Sequence, residues 1–450
     1  MNKQEFIEKL FESAKNAGIG ECEAYYAAGD NLSVEVLNGQ IKEYSAAISA
    51  GLCFRGVYNG RMGYASTEEM DEDAIDMLIG GVKQNACLLE TDDRETVFEG
   101  SAEYAKLDLC AQEAVEMPAA EKIRLALELE KKTLAGDSRV QRTEGCEYFS
   151  SVSERRIVNS RGLDVSFRKA ILGAGAAPIV SENGKVNFDY ETEYGFRPEE
   201  IHIDEVARKS VEKAISGLNA QSIPSGNYRT VLRNDAAATI LATFAGVFSA
   251  ENARKGMSLL KGREGEIIAS EAVTIIDDPL MENGFASVPF DAEGMATFTK
   301  TVVEKGRLNT LLHNRTTAAA MGASSTANAS KEGYAGPVRV APTNFYIQPS
   351  DTGFEDLIRS VGNGLLITRL MGMHSGANQI SGDFSLGAKG YKIENGKVTE
   401  AVEQITIAAN FFDLLKNIRA VASDLRFGHP GNTAIGCPAL DVGMISVAGK

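Results

Sequence analysis

The chain has four histidines, the side chain that most often binds a catalytic metal ion: His202, His313, His374 and His429. A zinc hydrolase needs nitrogen, sulfur or oxygen ligands, an open position for water and a carboxylate that acts as a base. In the common helical arrangement two histidines stand four residues apart beside a glutamate, so that all three face one site. No two histidines of this chain lie within five residues of each other. The chain therefore lacks a helical zinc motif of this kind.

The sequence also lacks motifs for a serine nucleophile, for a phosphate-binding loop and for paired or metal-binding cysteines. The chain has no Gly-x-Ser-x-Gly elbow, and its segment Gly362-x-Gly364 lacks the third glycine and the strand–turn–helix setting of a phosphate loop. The cysteines form no Cys-x-x-Cys pair and no metal-ligand spacing. We interpret them as reduced thiols that act mostly as small buried apolar residues. They are Cys22, Cys53, Cys87, Cys110, Cys146 and Cys437.

Charge and hydropathy restrict the partners. A net charge of −16 repels phosphate backbones and anionic lipid surfaces, so we expect neither nucleic acid nor a membrane as partner. The N-terminal segment has the pattern of an amphipathic helix rather than of an export signal. The apolar run at residues 236–247 is too short to span a bilayer. Together with the scattered cysteines, these features favour a cytoplasmic protein.

The first half of the chain is predicted to begin with a helix that is followed by antiparallel hairpins. Apolar residues at helical spacing occupy positions 6–14, and alternating runs then surround Asn38-Gly39 and Asn59-Gly60. An Asn-Gly step between alternating runs is a strong hairpin signal, because both residues tolerate positive φ. Helical patterns follow at residues 71–86, 118–134 and 198–218, with strand-like sequence at residues 139–180.

A small, polar stretch at residues 221–226, with one proline and one glycine, is the best linker candidate. At 450 residues two domains are expected, so we predict an N-terminal domain at residues 1–222 and a C-terminal domain at residues 223–450. The second is strand-rich, with an apolar helix from about Asp235 and a further helix near residues 410–424. Because hairpins and helices occur in blocks instead of alternating, both domains are predicted to be α+β.

The most informative segment is the apolar helix and its continuation, DAAATILATFAGVFSAENARKG at residues 235–256. This frame resembles the catalytic segment of the TldD/PmbA metallopeptidase family, whose TldD-type members carry His-Glu-x-x-x-His just ahead of a similar Arg-Lys-Gly. Counting back from Arg254-Lys255-Gly256 without gaps, that motif falls on residues 241–246, which read Leu-Ala-Thr-Phe-Ala-Gly. None of these side chains binds zinc or moves a proton. The helical spacing of Leu241, Phe244 and Phe248 instead predicts core residues.

Three further blocks resemble the family in the same order. They are Ser325-Thr326-Ala327-Asn328-Ala329-Ser330 through Pro342-Thr343-Asn344 to Pro349-Ser350-Asp351, then Gly372-Met373-His374-Ser375-Gly376 through Ser381-Gly382-Asp383-Phe384-Ser385 to Tyr391-Lys392-Ile393-Glu394-Asn395-Gly396-Lys397, and then Gly436-Cys437-Pro438-Ala439-Leu440 through Ile445-Ser446-Val447-Ala448-Gly449. TldD-type members also use a cysteine just upstream of the last block as a metal ligand. The corresponding residues 424–428 hold no cysteine, and Cys437 lies inside the block.

The chain is thus identified as similar to the PmbA-type, or TldE-type, members, which have the family scaffold without the HExxxH motif. The resemblance implies a subunit that pairs with a TldD-type metallopeptidase around an internal cavity and acts on peptides or unfolded small proteins. It implies no catalytic residue and no metal or other cofactor in this chain, with zinc in the TldD-type partner. We expect Arg254 and Lys255 to end the apolar helix, where positive charge complements the helix dipole, and to contact the cleft or the partner. A solvated helix end is the simpler reading of the same two residues.

Two alternatives remain open. The chain could be a self-sufficient hydrolase with a non-standard site near His374, Asp383 and His313, which the family blocks place near the cleft. His374 lies in the glycine-flanked loop that the family holds close to its active cleft. The chain could also be a non-enzymatic, peptide-binding homodimer, since self-association is common among soluble proteins.

Overall fold

The computed structural model describes residues 1–88 and 96–450. Helix α1 (Lys3–Asn16) begins where the Asn2 side chain accepts a hydrogen bond from the Glu5 amide, and its buried face holds Phe6, Ile7, Leu10 and Ala14. Strands β1 (Cys22–Leu37), β2 (Gln40–Tyr58) and β3 (Arg61–Thr67) follow as antiparallel hairpins. The two predicted Asn-Gly turns are confirmed, because all four residues have positive φ, for example 57° at Asn38 and 71° at Gly39.

These are three of the seven strands that form one long antiparallel sheet in the described residues. The elements that complete this part of the chain are α2 (Glu72–Leu88), α3 (Gln112–Glu116), α4 (Ala119–Ala135), β4 (Val140–Asn159), β5 (Asp164–Glu182), β6 (Lys185–Phe188), β7 (Glu191–Gly195) and α5 (Ile203–Ser216). The strand order is β3-β2-β1-β4-β5-β6, and β7 also pairs with β5. Side chains such as Val34, Tyr148 and Leu172 pack under α4 and α5. Because strand side chains alternate, the neighbouring residues Ser33, Phe149 and Ile171 belong to the opposite face.

The rest of the chain forms two six-stranded sheets and a two-stranded one. Its elements are β8 (Gly226–Leu232), α6 (Asn234–Phe244), α7 (Ala250–Arg254), β9 (Ile275–Asp277), β10 (Lys300–Glu304), β11 (Arg307–Leu308), α8 (Arg315–Met321), β12 (Ala329–Lys331), β13 (Val338–Val340), β14 (Asn344–Ile347), α9 (Phe354–Val361), β15 (Gly364–Met371), α10 (Met373–Gly376), β16 (Asp383–Glu394), β17 (Lys397–Asn410), α11 (Phe411–Asn417), β18 (Ala420–Val421), β19 (Arg426–Phe427), β20 (Ala434–Cys437) and β21 (Leu440–Ala448).

One of these sheets has the order β11-β10-β9-β14-β20-β19. The other has the order β17-β16-β15-β8-β21-β18, and an additional pairing of β17 with β21 closes five of its strands into a ring. Helix α6 packs in the largest apolar cluster of the described residues, against side chains from both sheets. The α+β class, with an N-terminal helix and antiparallel sheet and a strand-rich C-terminal part, is confirmed.

Three predicted helices differ in extent. The apolar helix breaks at Phe244, passes through a 3₁₀ turn at Ala245–Phe248 and restarts as α7, because Ser249 leaves the helical conformation and caps the new helix through Asn252. The helix expected at residues 410–424 ends at Asn417, and β18 follows. The helix expected at residues 198–218 begins at Ile203, after a 3₁₀ turn.

The long sheet uses only strands that precede residue 222, and the other three sheets use only strands that follow residue 223. The division into domains at that point stays a prediction. No helix in the described ranges has both the length and the apolar character needed to cross a bilayer.

Candidate functional site

The large apolar residues in and just after the frame of the TldD-type motif are buried in the core. Leu241 is 2% exposed, and Phe244 and Phe248 are fully buried. The Phe244 ring stacks on Phe411 with centroids 4.7 Å apart and planes 15° apart, and Phe248 packs against Phe345 at 5.4 Å. The prediction that these side chains belong to the core is confirmed.

Arg254 and Lys255 lie at the end of α7, a separate helix of five residues, and not at the end of the apolar helix as predicted. A 3₁₀ turn and the Ser249 cap separate this pair from α6. Both residues are exposed. Lys255 forms an ion pair of 2.6 Å with Glu251, which also binds Arg339 at 2.8 Å. A contact of this pair with the cleft or a partner stays a prediction.

His374 and Asp383 lie on the surface at one end of the ring of strands, on α10 and at the start of β16. The Asp383 carboxylate accepts hydrogen bonds from Ser381 at 2.8 Å and from Asn410 at 2.9 Å. The bonds from Asn410 and Ser381 hold the pKa of Asp383 below its usual value, so this carboxylate is anionic at neutral pH.

His313 lies elsewhere, on the segment between β11 and α8, and is 2% exposed. Its carbonyl accepts hydrogen bonds from the amides of Thr326 and Asn328, its Nδ1 atom has no partner among the described residues, and burial lowers the pKa of its imidazole. Within residues 1–88 and 96–450, no hydrogen bond or ion pair joins His313, His374 and Asp383. The structure therefore provides no preformed acid–base pair for the self-sufficient hydrolase.

The first of the resemblance blocks surrounds a buried ion pair. The Asp277 carboxylate is fully buried and lies 2.9 Å from the Lys300 ammonium. It also accepts hydrogen bonds from the Asn328 side chain at 2.7 Å and from the amide and hydroxyl of Thr343. These motif residues hold the segment between β11 and β14 in place.

A cavity with a volume of about 690 Å³ lies elsewhere, on the open face of the long sheet. Hydroxyl and amide side chains from β1, β2 and β4 line its floor, and the turn of residues 429–432, between β19 and β20, lines it as well. The sequence predicts neither a role for His429 nor this cavity. Its lining comprises Asn31, Leu32, Ser33, Ser45, Glu147, Phe149, Ser150, Ser151, Ser153, Lys169, Ile171, Thr192, Tyr194, His429, Pro430, Gly431 and Asn432.

Lys169 is the buried charge of this cavity. It is 8% exposed, and its ammonium donates a hydrogen bond of 2.7 Å to the Phe285 carbonyl. Burial, with the nearby Arg155 guanidinium, lowers the pKa of Lys169 to about 8. Across the cavity, the Tyr194 hydroxyl and the His429 Nδ1 atom share a hydrogen bond that joins the sheet to the turn. Such a cavity can hold a polar ligand with a negative charge at the Lys169 end.

The described residues bring few metal-binding side chains together. In the ranges that the structure covers, no three His, Cys, Asp or Glu side chains are grouped so that they could hold a metal ion. The Cys437 thiol is fully buried, and burial raises its pKa.

Family models for the PmbA/TldA metallopeptidases match the chain in three segments: domain 1 at residues 22–86, the central domain at residues 112–218 and the C-terminal domain at residues 225–449. A metalloprotease PmbA homolog of Haemophilus influenzae is 30% identical over 87% of this chain and 84% of its own length.

Two crystal structures share the fold over 99% of this chain and 100% of their own. A proposed modulator of a DNA gyrase from Thermotoga maritima superposes with a TM-score of 0.91 at 32% identity. TldE from Thermococcus kodakarensis superposes with a TM-score of 0.90 at 21% identity, which is a likeness of fold. With three matched segments in family order and a relative at 30% identity, the chain belongs to the PmbA/TldD metallopeptidase family.

Proposed function

We propose that this chain is a PmbA-like, non-catalytic subunit that assembles with a TldD-type zinc metallopeptidase and forms part of a cleft for peptides or unfolded small proteins. The observation that carries the proposal is the end of α6. The family places its catalytic motif in this frame, and here the frame packs Leu241 and Phe244 into the core.

The zinc that the family name implies does not fit this segment. Its side chains are aliphatic or aromatic apart from the Thr243 hydroxyl, which donates to the Thr239 carbonyl at 2.8 Å. Zinc sites use thiolate, imidazole or carboxylate ligands, so no step of a reaction is derived through a metal held by this chain. A TldD-type partner with an intact His-Glu-x-x-x-His motif would supply the metal.

The cavity on the long sheet supports the peptide part of the proposal. Its volume lies within the range of roughly 300–1,000 Å³ that is usual for ligand sites. Serine hydroxyls can both donate and accept, so they suit the backbone amides of a peptide whatever its side chains.

The assembly can be tested by mixing the chain with a TldD-type relative from the same genome, followed by size-exclusion chromatography and a peptidase assay. We expect the two proteins to co-elute and the mixture to hydrolyse unfolded peptides. If the chain elutes as a homodimer, binds peptides without the partner and leaves the partner's activity unchanged, it is a peptide-binding homodimer and the proposal fails.

The double substitution Arg254→Glu and Lys255→Glu is expected to weaken co-elution about ten-fold or more, because it reverses two positive charges on an exposed helix end. The matched control is Arg208→Glu with Lys209→Glu, which are consecutive exposed residues on a different helix, α5. Both variants should fold, since each changes surface charges. If the first variant co-elutes with the partner and supports turnover as well as the wild type does, Arg254 and Lys255 do not belong to the interface.

Replacement of His374 by Ala is expected to leave the turnover of the complex within about two-fold of wild type, because this exposed imidazole has no acid–base partner in the described residues. Steady-state assays on an unfolded peptide measure this effect. Loss of turnover in the variant would favour the hydrolase near His374 and Asp383.

A further inference from the structure

The Lys169 ammonium is a buried charge with little to balance it. It makes one hydrogen bond, to the Phe285 carbonyl, so two of its three protons are without a partner in the described residues. No carboxylate of the described chain lies within ion-pair distance, 4.0 Å, of it. Burying an ammonium is costly unless it is paired. An anion that enters the cavity would supply the missing partner.

A second cation, Arg155, lies beside the Lys169 end of the cavity without lining it. Arg155 is half-buried, and its guanidinium donates a hydrogen bond of 3.0 Å to Asn432 and lies over the Phe167 ring. It too forms no ion pair among the residues that the structure describes. Two cations without carboxylate partners in a chain of net charge −16 make this end of the cavity locally positive.

The acid in the lining is distant. Lys169 stands opposite Ser153 on β4, and Glu147 lies six residues further along that strand. At about 3.3 Å per residue, their positions are roughly 20 Å apart. Glu147 therefore does not neutralise Lys169, and the cavity has a cationic end and an acidic end.

Between the two ends, the floor offers free hydroxyl groups. The side chains of Ser33, Ser45 and Ser153 make no hydrogen bond to other described residues, whereas Ser151 donates to Asn31 at 2.6 Å. Phe149 and Ile171 add apolar surface beside them. Ser33 and Ser45 lie at the level of Phe149, four residues along β4 from Ser153, so the unpaired hydroxyls extend over roughly 13 Å and match the amide groups of an extended chain of about four residues.

We propose that this cavity binds the free C-terminal carboxylate of an extended peptide, with the carboxylate oxygens accepting hydrogen bonds from Lys169 and the serine hydroxyls bonding the backbone. The inference rests on the proposed function, in which the chain handles peptides, and it assigns the direction of the bound peptide. The C-terminus lies at the Lys169 end. Charge-assisted hydrogen bonds are about twice as strong as neutral ones, so the carboxylate contributes much of the affinity.

The test is calorimetric titration of the intact chain with an N-acetylated Ala-Ser-Ala-Ser-Ala-Ser peptide, as the free acid and as the C-terminal amide. The acid is expected to bind about ten-fold or more tightly than the amide. Lys169→Met should weaken binding of the acid by a similar factor and leave the amide unchanged. The matched control is Arg168→Met, which removes one positive charge from the adjacent, exposed residue on the opposite face of β5.

Equal affinities of acid and amide, or no binding of either, would overturn the inference. Acetate is used as a competitor to distinguish a site for the C-terminus of a peptide from a site for small free carboxylates. If acetate displaces the peptide with the affinity of the peptide itself, the site binds small carboxylates, and the inference is overturned. The binding assay uses the chain without a partner. If the TldD-type complex hydrolyses both peptides equally and Lys169→Met has no effect, the inference fails while the proposed function stands. If no active complex forms but the acid binds selectively, the proposed function fails and the inference stands.

Discussion

Replacement of Asp277 by Ala is expected to lower the free energy of unfolding by about 3–5 kcal/mol. The carboxylate is fully buried, and its removal leaves the Lys300 ammonium, among the described residues, with the Asn328 side-chain oxygen at 3.2 Å and the face of the Phe298 ring, but no carboxylate, to balance its charge. It also leaves the amide and hydroxyl of Thr343 without their acceptor. Urea unfolding monitored by circular dichroism measures the change.

The control for this prediction is Asp356→Ala. Asp356 forms an exposed ion pair with Arg359 on α9, and exposed pairs contribute about 0–1 kcal/mol. The double variant Asp277→Ala with Lys300→Met is expected to recover part of the lost unfolding free energy, because it removes the uncompensated charge. A loss below about 1 kcal/mol in the single variant would show that the Asp277 network does not hold this region together.

Replacement of Lys169 by Met is expected to change how stability depends on pH. The pKa of Lys169 falls from 10.5 to about 8 on folding, so between these values the unfolded chain binds more protons than the folded chain. The contribution of Lys169 to stability therefore rises with pH across this window and is most unfavourable below pH 8. The difference in unfolding free energy between variant and wild type should shift in favour of wild type by about 3 kcal/mol across the window.

Urea titrations of both proteins at several pH values measure this shift, and all other titrating groups cancel in the difference. The unpaired Phe285 carbonyl of the variant adds a constant that does not depend on pH. Arg168→Met should show no such shift, because guanidinium groups are not deprotonated in proteins. A pH-independent difference for Lys169→Met would contradict the view that its ammonium is buried without a partner. A loss of stability caused by burying the Lys169 ammonium without a partner is consistent with a role of this residue in ligand binding.

Much of the local structure could be predicted from the sequence. The Asn38-Gly39 turn follows from residue types alone, since few other dipeptides accept two positive φ values. The burial of Phe244 follows from helical spacing. The break of the helix after it does not, because the Ser249 cap competes with continued helix only in the packed structure.

The cavity could not be predicted in the same way. It depends on the pairing of β1 with β4, which places Ser33 opposite Phe149, and on a turn from the last part of the chain that approaches this face. Both are long-range contacts. One local signal was available: Lys169 begins the otherwise apolar run at residues 169–180, where a lysine is rarely buried without a partner. The residues chosen from the resemblance, His374 and Asp383, lie at the surface.

Zinc content and peptide turnover, measured on the isolated chain and on its complex with a TldD-type partner, test the central claim most directly. We expect the isolated chain to hold almost no zinc and to hydrolyse nothing. The complex should hold about one zinc ion per heterodimer and lose turnover on chelation or when the motif glutamate of the partner is replaced by glutamine. An isolated chain with about one bound zinc ion and chelator-sensitive turnover would contradict the assignment of this protein as a non-catalytic subunit.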